Sequence, residues 1–113
     1  MAKVIITNYL KEQVFKKFQG KSEDIFELMR SLENSLNKGK ILGQAGGMTI
    51  KEIRFESFRF YFIVDGFKLK FLDQNELNDL IIKFIRMSDK KDQQKTIDEI
   101  KAILRTIGGS GFG

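Results

Sequence analysis

The strongest constraint in this sequence is an alternation. Across residues 48–55, 58–64 and 67–72, apolar and polar side chains take turns, and a period of two is the mark of extended strands. From Phe58 to Val64 the even positions Phe58, Phe60, Phe62 and Val64 are core-type, while the odd positions carry Arg59, Tyr61 and, beyond them, Ile63. In the preceding run Ile53 and Phe55 are core-type, with Glu52 and Arg54 opposite. In the following run Phe67, Leu69 and Phe71 are core-type, with Lys68 and Lys70 opposite. Short turns at Glu56-Ser57 and Asp65-Gly66 separate the runs, and Asp-Gly between alternating segments predicts a hairpin. Parity thus gathers Glu52, Arg54, Arg59, Tyr61, Lys68 and Lys70 on one sheet face. The phenylalanines are left to pack under helices on the other.

Those helices are legible on either side. Residues 3–7 read as a short β-branched strand. Leu10, Val14 and Phe18 then recur every fourth residue, which predicts an amphipathic helix closed by Gly20. Ser22 is the expected N-cap of a second helix, with Glu23 and Asp24 in its first turn and an apolar stripe of Ile25, Leu28, Met29, Leu32 and Leu36. Gly39 ends it near Lys38, so two antiparallel helices joined by a tight glycine turn are expected. Residues 39–47 hold four glycines and read as a flexible connector; their spacing is not that of a phosphate-binding loop. After a polar loop from Asp73 to Asp79, Leu80–Met87 reads as a fourth strand buried on both faces. A helix from about Lys91 to Ile107 presents Ile97, Ile100, Ile103, Leu104 and Ile107, and Gly108-Gly109 stops it. Residues 1–107 form one domain, and residues 108–113 read as a flexible glycine-rich tail.

Composition narrows the chemistry. The 113 residues contain no His, Cys, Trp or Pro, and eleven are Phe. The length suits one small domain. Without Cys there is no disulfide, thiolate nucleophile or zinc finger, and without His there is no imidazole acid or base near neutral pH. No metal or other cofactor is called for. Any catalysis must run on carboxylates, Lys, Arg, Tyr, hydroxyls or backbone amides. No apolar run approaches the roughly 20 residues of a membrane span, and the N-terminus lacks the features of a signal peptide. No membrane partner is expected, and the cytoplasm is the default location.

The formal charge of +5 points weakly to a polyanion. The sheet face sharpens it, with Arg54, Arg59, Lys68 and Lys70 against the single carboxylate Glu52, and Tyr61 among them. An ordinary solvated sheet face is also polar. Arginine forks, however, bind phosphate oxygens bidentately, and Tyr or Arg stacks on unpaired bases.

Over roughly residues 3–105 the chain resembles the RelE/ParE toxin superfamily, closest in pattern to the RelE/HigB-like (phage Gp49-like) branch. The resemblance rests on Ile50-Lys51-Glu52-Ile53-Arg54 and Phe58-Arg59-Phe60-Tyr61-Phe62, which match a paired-arginine hairpin. It continues at Ile82-Lys83-Phe84-Ile85-Arg86, Lys90-Lys91 and the helix at Thr96-Ile97-Asp98-Glu99-Ile100. It implies an α+β fold: two N-terminal helices packed on a twisted, mainly antiparallel four- to five-stranded sheet, with a C-terminal helix. It also implies a toxin that cuts mRNA on the ribosome and is neutralised by a cognate antitoxin protein. On that resemblance Arg59 stabilises the transition state, Arg54 clamps the phosphate or positions the strand, and Glu52 is the candidate base. Arg86, Lys90 and Lys91 grip RNA or donate the leaving-group proton. Apart from the resemblance, the cationic sheet face offers Tyr61, Lys68 and Lys70 as further RNA contacts, with Lys51 in the adjoining strand. The chain departs from the pattern in having no His near the last strand, no C-terminal Tyr, and Lys95-Thr96-Ile97 where relatives carry a Pro. Two alternatives therefore stand beside it: a non-catalytic or ParE-like member acting on gyrase or only on its antitoxin, and a simple RNA-binding module.

Overall fold

A computed structural model describes residues 2–35, 37–71 and 79–113. The expected polar loop at 73–78, the Leu36 end of the second helix's stripe and the side chain of Phe71 lie outside the described residues. Strand β1 (Lys3–Ile6) stops where Thr7 turns the chain, its Oγ1 accepting the Leu10 amide at 3.3 Å to cap helix α1 (Asn8–Phe18). Leu10, Val14 and Phe18 are the buried positions of α1, as their spacing predicts. One 3-10 turn, Gln19–Lys21, leads into α2 (Ser22–Arg30). Ser22 is already helical, its Oγ donating back to the Gln19 carbonyl at 3.0 Å, so it is not the N-cap expected of it.

Helix α2 ends at Arg30, about two turns earlier than its apolar stripe suggests. The Ser31 hydroxyl donates to the Leu28 carbonyl at 2.6 Å, a local bond that competes with helix propagation, and a 3-10 turn follows at Ser31–Asn34. The turn brings the Glu33 carboxylate to the edge of β1, where it accepts the Val4 amide at 2.9 Å.

The glycine-rich segment is not a connector. Lys40–Ala45 forms β2, antiparallel to β3 (Met48–Phe55), with a register shift between Ile41 and Gly43. Gly46 and Gly47 both adopt positive φ, +54° and +77°, the conformation that closes a two-residue hairpin with the right twist. Strand β4 (Phe58–Asp65) returns from β3 through the Glu56-Ser57 turn, pairing Arg54 with Arg59 and Phe55 with Phe58.

The second expected hairpin is absent. Asp65 does not turn the chain back; its Oδ1 accepts the Lys68 amide at 3.1 Å and starts a short helix, α3 (Gly66–Phe71). Aspartate favours both hairpin turns and helix starts, and a short run cannot tell the two by period. Phe67, expected in the core, is 64% exposed. Strand β5 (Ile81–Ser88) then inserts between β4 and β1, antiparallel to the first and parallel to the second. The five-stranded sheet has the order β1-β5-β4-β3-β2. Helix α4 (Gln93–Thr106) completes an α+β fold.

The sheet is covered on both faces. Phe60, Phe62, Val64, Ile82 and Phe84 pack with Leu10, Val14, Ile25 and Met29 of α1 and α2. Tyr61, Ile63, Ile50 and Ile85 pack with Ile97, Ile100 and Leu104 of α4 and with Phe112. The odd positions of β4, expected on a wet face, are therefore buried beneath α4. Residues 108–113, expected as a tail, fold back: Phe112 is 3% exposed, and the Lys83 ammonium donates to the carbonyls of Gly109 at 3.1 Å and Phe112 at 2.7 Å.

Two cores separated by one sheet are energetically distinct. Leu10→Ala and Ile100→Ala each cost about 2–5 kcal/mol, and the double variant costs their sum to within about 0.5 kcal/mol. Urea unfolding of the four proteins checks this; a strongly non-additive double variant would contradict the two-core arrangement.

Candidate nucleic-acid interface

Strand register builds the site. Glu52 lies opposite Tyr61, Arg54 opposite Arg59, and on the other side of β4, Arg59 opposite Ser88 and Tyr61 opposite Arg86. A register shift leaves Ile85 as an extra residue between the pairs Tyr61–Arg86 and Phe62–Phe84. Glu52, Arg54, Arg59, Tyr61 and Ser88 consequently collect at the β3–β4 turn end of the sheet, on the α4 side. Gln93, in the first turn of α4, comes down on them, its Nε2 donating to Glu52 Oε2 at 3.4 Å.

The centre is a sealed carboxylate. The Glu52 side chain is 1% exposed, with Arg59 Nε 3.9 Å from Oε2 and Arg54 Nη2 3.5 Å from Oε1. Arg59 is also buried and spends Nη1 on the Ser57 carbonyl at 3.2 Å. These ion pairs are long, so Glu52 Oε1 and Arg59 Nε have no hydrogen-bond partner. Arg54 lies over Oε1 and is itself 56% exposed, which makes it the member of the cluster that faces solvent. Next to them the Tyr61 hydroxyl meets Ser88 Oγ at 2.7 Å, and Ser88 donates to the Asp89 carbonyl at 2.9 Å. Ser88 has one proton, so Tyr61 is the donor in the first bond. Burial pushes the Tyr61 phenol above its ordinary value; the Ser88 bond and the Arg59 charge pull the other way, and the charges of Glu52 and Asp89 add to the rise.

The remaining candidates separate. Arg86 is committed inside the protein: its guanidinium sits 4.4 Å from the Tyr9 ring and 5.1 Å from the Phe112 ring, and its Nε meets Glu99 Oε1 at 3.1 Å. Lys51 faces the α1–α2 side with Phe62, whose ring centre is 5.8 Å from its ammonium, and burial lowers its pKa. It does not share the face of Glu52. Lys68 and Lys70 belong to α3 beyond the far end of β4, roughly 20 Å from Arg59 at strand spacing. Neither lies on the sheet face assigned to them. Lys90 and Lys91 are exposed in the loop between β5 and α4, at the same end as Arg54.

Three contributors were not anticipated. Ser88 lies one residue past the expected end of its strand, and Gln93 is uncharged, so neither stood out. The third is the last part of α1. Phe18 packs edge-on against Phe55 and Phe58, which brings exposed Lys16 and Lys17 to the turn end of the sheet. Among the described residues, Lys16, Lys17, Lys90 and Lys91 form no ion pair. One end of the molecule thus presents five available cations, counting Arg54. The nearby acids are Glu56, paired with Lys21 at 2.6 Å, and Asp89 and Asp92.

Two outcomes test this geometry. Arg59→Met leaves a buried carboxylate short of a cation and costs about 3–5 kcal/mol in urea unfolding; adding Glu52→Gln restores most of it, and a double variant no more stable than the single one refutes the coupling. Tyr61 ties stability to pH. The unfolded chain releases its phenolic proton near pH 10 and the folded chain at higher pH. This contribution is complete below about pH 10 and is lost as pH rises through the folded value. The stability advantage of the native chain over Tyr61→Phe, about 1 kcal/mol at neutral pH, narrows above pH 10 in thermal unfolding. An advantage independent of pH is the contrary result.

Comparison of the chain with family models, with curated proteins and with solved structures gives no match.

Proposed function

We propose that this chain is the toxin of a toxin–antitoxin pair, a cytoplasmic ribosome-dependent mRNA endoribonuclease of the RelE/HigB type, neutralised by a cognate antitoxin protein. The sequence resemblance suggests it. The observation that carries it is the pairing of Arg54 with Arg59 around Glu52 at an end rich in exposed lysines. The fold supports the reading: two N-terminal helices, a mainly antiparallel sheet and a C-terminal helix are what the resemblance implies.

The chemistry follows from which groups can move. Arg54 swings outward to a phosphodiester, its fork on two phosphate oxygens, and uncovers Glu52 Oε1, a carboxylate oxygen without a hydrogen-bond partner. Oε1 takes the proton of the ribose 2′-OH, and the 2′-oxygen attacks the adjacent phosphorus. The bond to the 5′-oxygen breaks, leaving a 2′,3′-cyclic phosphate. The ammonium of Lys90 or Lys91 protonates the departing 5′-oxygen. Arg59, held beneath, keeps positive potential under the phosphorane.

A second reading has its own observation. With Glu52 1% exposed, the same cations would bind RNA without cutting it. Purified protein added to ribosomes carrying mRNA decides. Cleavage in the ribosomal A site is expected, reduced about 100-fold or more in Arg54→Ala, measured where that variant still unfolds cooperatively in urea. Intact mRNA with the native protein rejects the nuclease. Salt-sensitive RNA binding without cleavage selects the binding module, and inhibition of DNA supercoiling selects the ParE-like alternative.

A further inference from the structure

We propose that a groove between the end of α1 and the start of β4 is a second RNA contact, in which an unpaired base stacks on Phe58 while its flanking phosphates meet Lys16 and Lys17. The proposal rests on the RNA-directed reading above and adds a subsite to it, on the opposite face of the same β3–β4 turn from Arg54.

Phe58 opens β4 on the α1–α2 side, yet it differs from the other aromatic residues of that strand face. Phe60 and Phe62 are fully buried, whereas Phe58 is partly exposed and lines two clefts, of about 380 and 600 Å3. Both clefts are also lined by Lys16 and Lys17, so they meet along these three residues as one groove. The Phe58 ring is held in place by Phe18, centroids 5.0 Å apart and planes at 89°. A stacking surface fixed before binding loses little freedom on binding.

The charges are arranged for a phosphate backbone along the helix side of the groove. Lys17 Nζ stands 5.0 Å from the Phe58 ring centre, and both residues line the two clefts. A nucleotide would exchange partners there, its phosphate taking the ammonium and its base taking the ring. Lys16 has no ion-pair partner among the described residues, whereas Lys21 is spent on Glu56. On the far wall are Asp89 and Asp92, with Asp89 Oδ1 already accepting the Asp92 amide at 2.8 Å. Those acids keep phosphates on the lysine side and disfavour an acidic peptide in the same groove. An aromatic face beside unpaired lysines is the arrangement that binds single strands by stacking and phosphate contact.

A short oligoribonucleotide carrying 2-aminopurine serves as the probe, titrated with the intact native protein and followed by anisotropy and by quenching of the base. The native protein is expected to bind and to quench. Phe58→Leu, which keeps an apolar side chain against Phe18, should bind about tenfold more weakly and lose the quench, while Phe58→Tyr keeps both. Lys16→Gln with Lys17→Gln, both at exposed positions, should flatten the dependence of log affinity on log salt by about 1.4 and leave the quench. Native-like affinity and quench in Phe58→Leu overturn the proposal, as does stronger binding of poly-glutamate than of RNA. Absence of oligonucleotide binding by the native protein also overturns it, whereas the nuclease reading falls separately, on intact mRNA in the ribosome assay.

Discussion

Six consecutive residues of β4, Arg59 to Val64, are buried, and the rest of the molecule is organised by that fact. A strand buried on both faces needs apolar cover on each side. The even positions draw α1 and α2, and the odd positions draw α4 and Phe112. It also needs neighbours on both edges, which β3 and β5 supply, so that its backbone groups are paired within the sheet. The parallel pairing of β1 with β5 is a further consequence. Helices α1 and α2 carry the chain across one face, and β1 is left at the edge beyond β5.

Burial on both sides leaves charged residues few places to go. Where the odd positions run out of apolar partners, at the turn end, Glu52, Arg59 and Tyr61 form a polar plug beneath the first turn of α4. A buried carboxylate among guanidiniums is costly to desolvate and only partly compensated at 3.5 and 3.9 Å. That incomplete satisfaction is what makes the plug chemically interesting. A cluster with every bond made would be inert packing, whereas this one retains an acceptor oxygen directly below an arginine that faces water.

Much of this was legible from residue order. Period-four spacing gave α1, parity sorted β4 between its two faces, and the Glu56-Ser57 turn set the register that joins Arg54 to Arg59. The departures have physical causes. The segment containing β2 was hidden by glycines that read as flexibility, although Gly46-Gly47 is itself a hairpin signal. Asp65-Gly66 carries two competing signals, and helix capping wins. Ile63, an apolar residue on an otherwise polar parity face, points to cover by α4, as does the apolar side of α4, which needs a surface to bury. Both faces of β4 therefore had to be dry, a conclusion that follows only when strand and helix are considered together.

Charge counted along a chain is a poor measure of charge on offer. Arg86 and Arg54 are the same residue type on adjoining parts of one sheet, and their surroundings give them different work. Arg86 lies between Tyr9 and Phe112 with Glu99 on its Nε, so it fastens the C-terminal segment and α4 to the sheet. Arg54 has one long contact and open solvent. Lys83 and Lys51 lie on the packed side of the same division, and Lys16, Lys17, Lys90 and Lys91 on the open side. Exposed cations also lie elsewhere, among them Lys3, Lys38, Lys40, Lys95 and Arg105, but Arg54, Lys16, Lys17, Lys90 and Lys91 share the β3–β4 turn end. A polyanion approaching that end meets positive charge on both faces of the hairpin, with the guanidinium of Arg54 on one and the ring of Phe58 on the other.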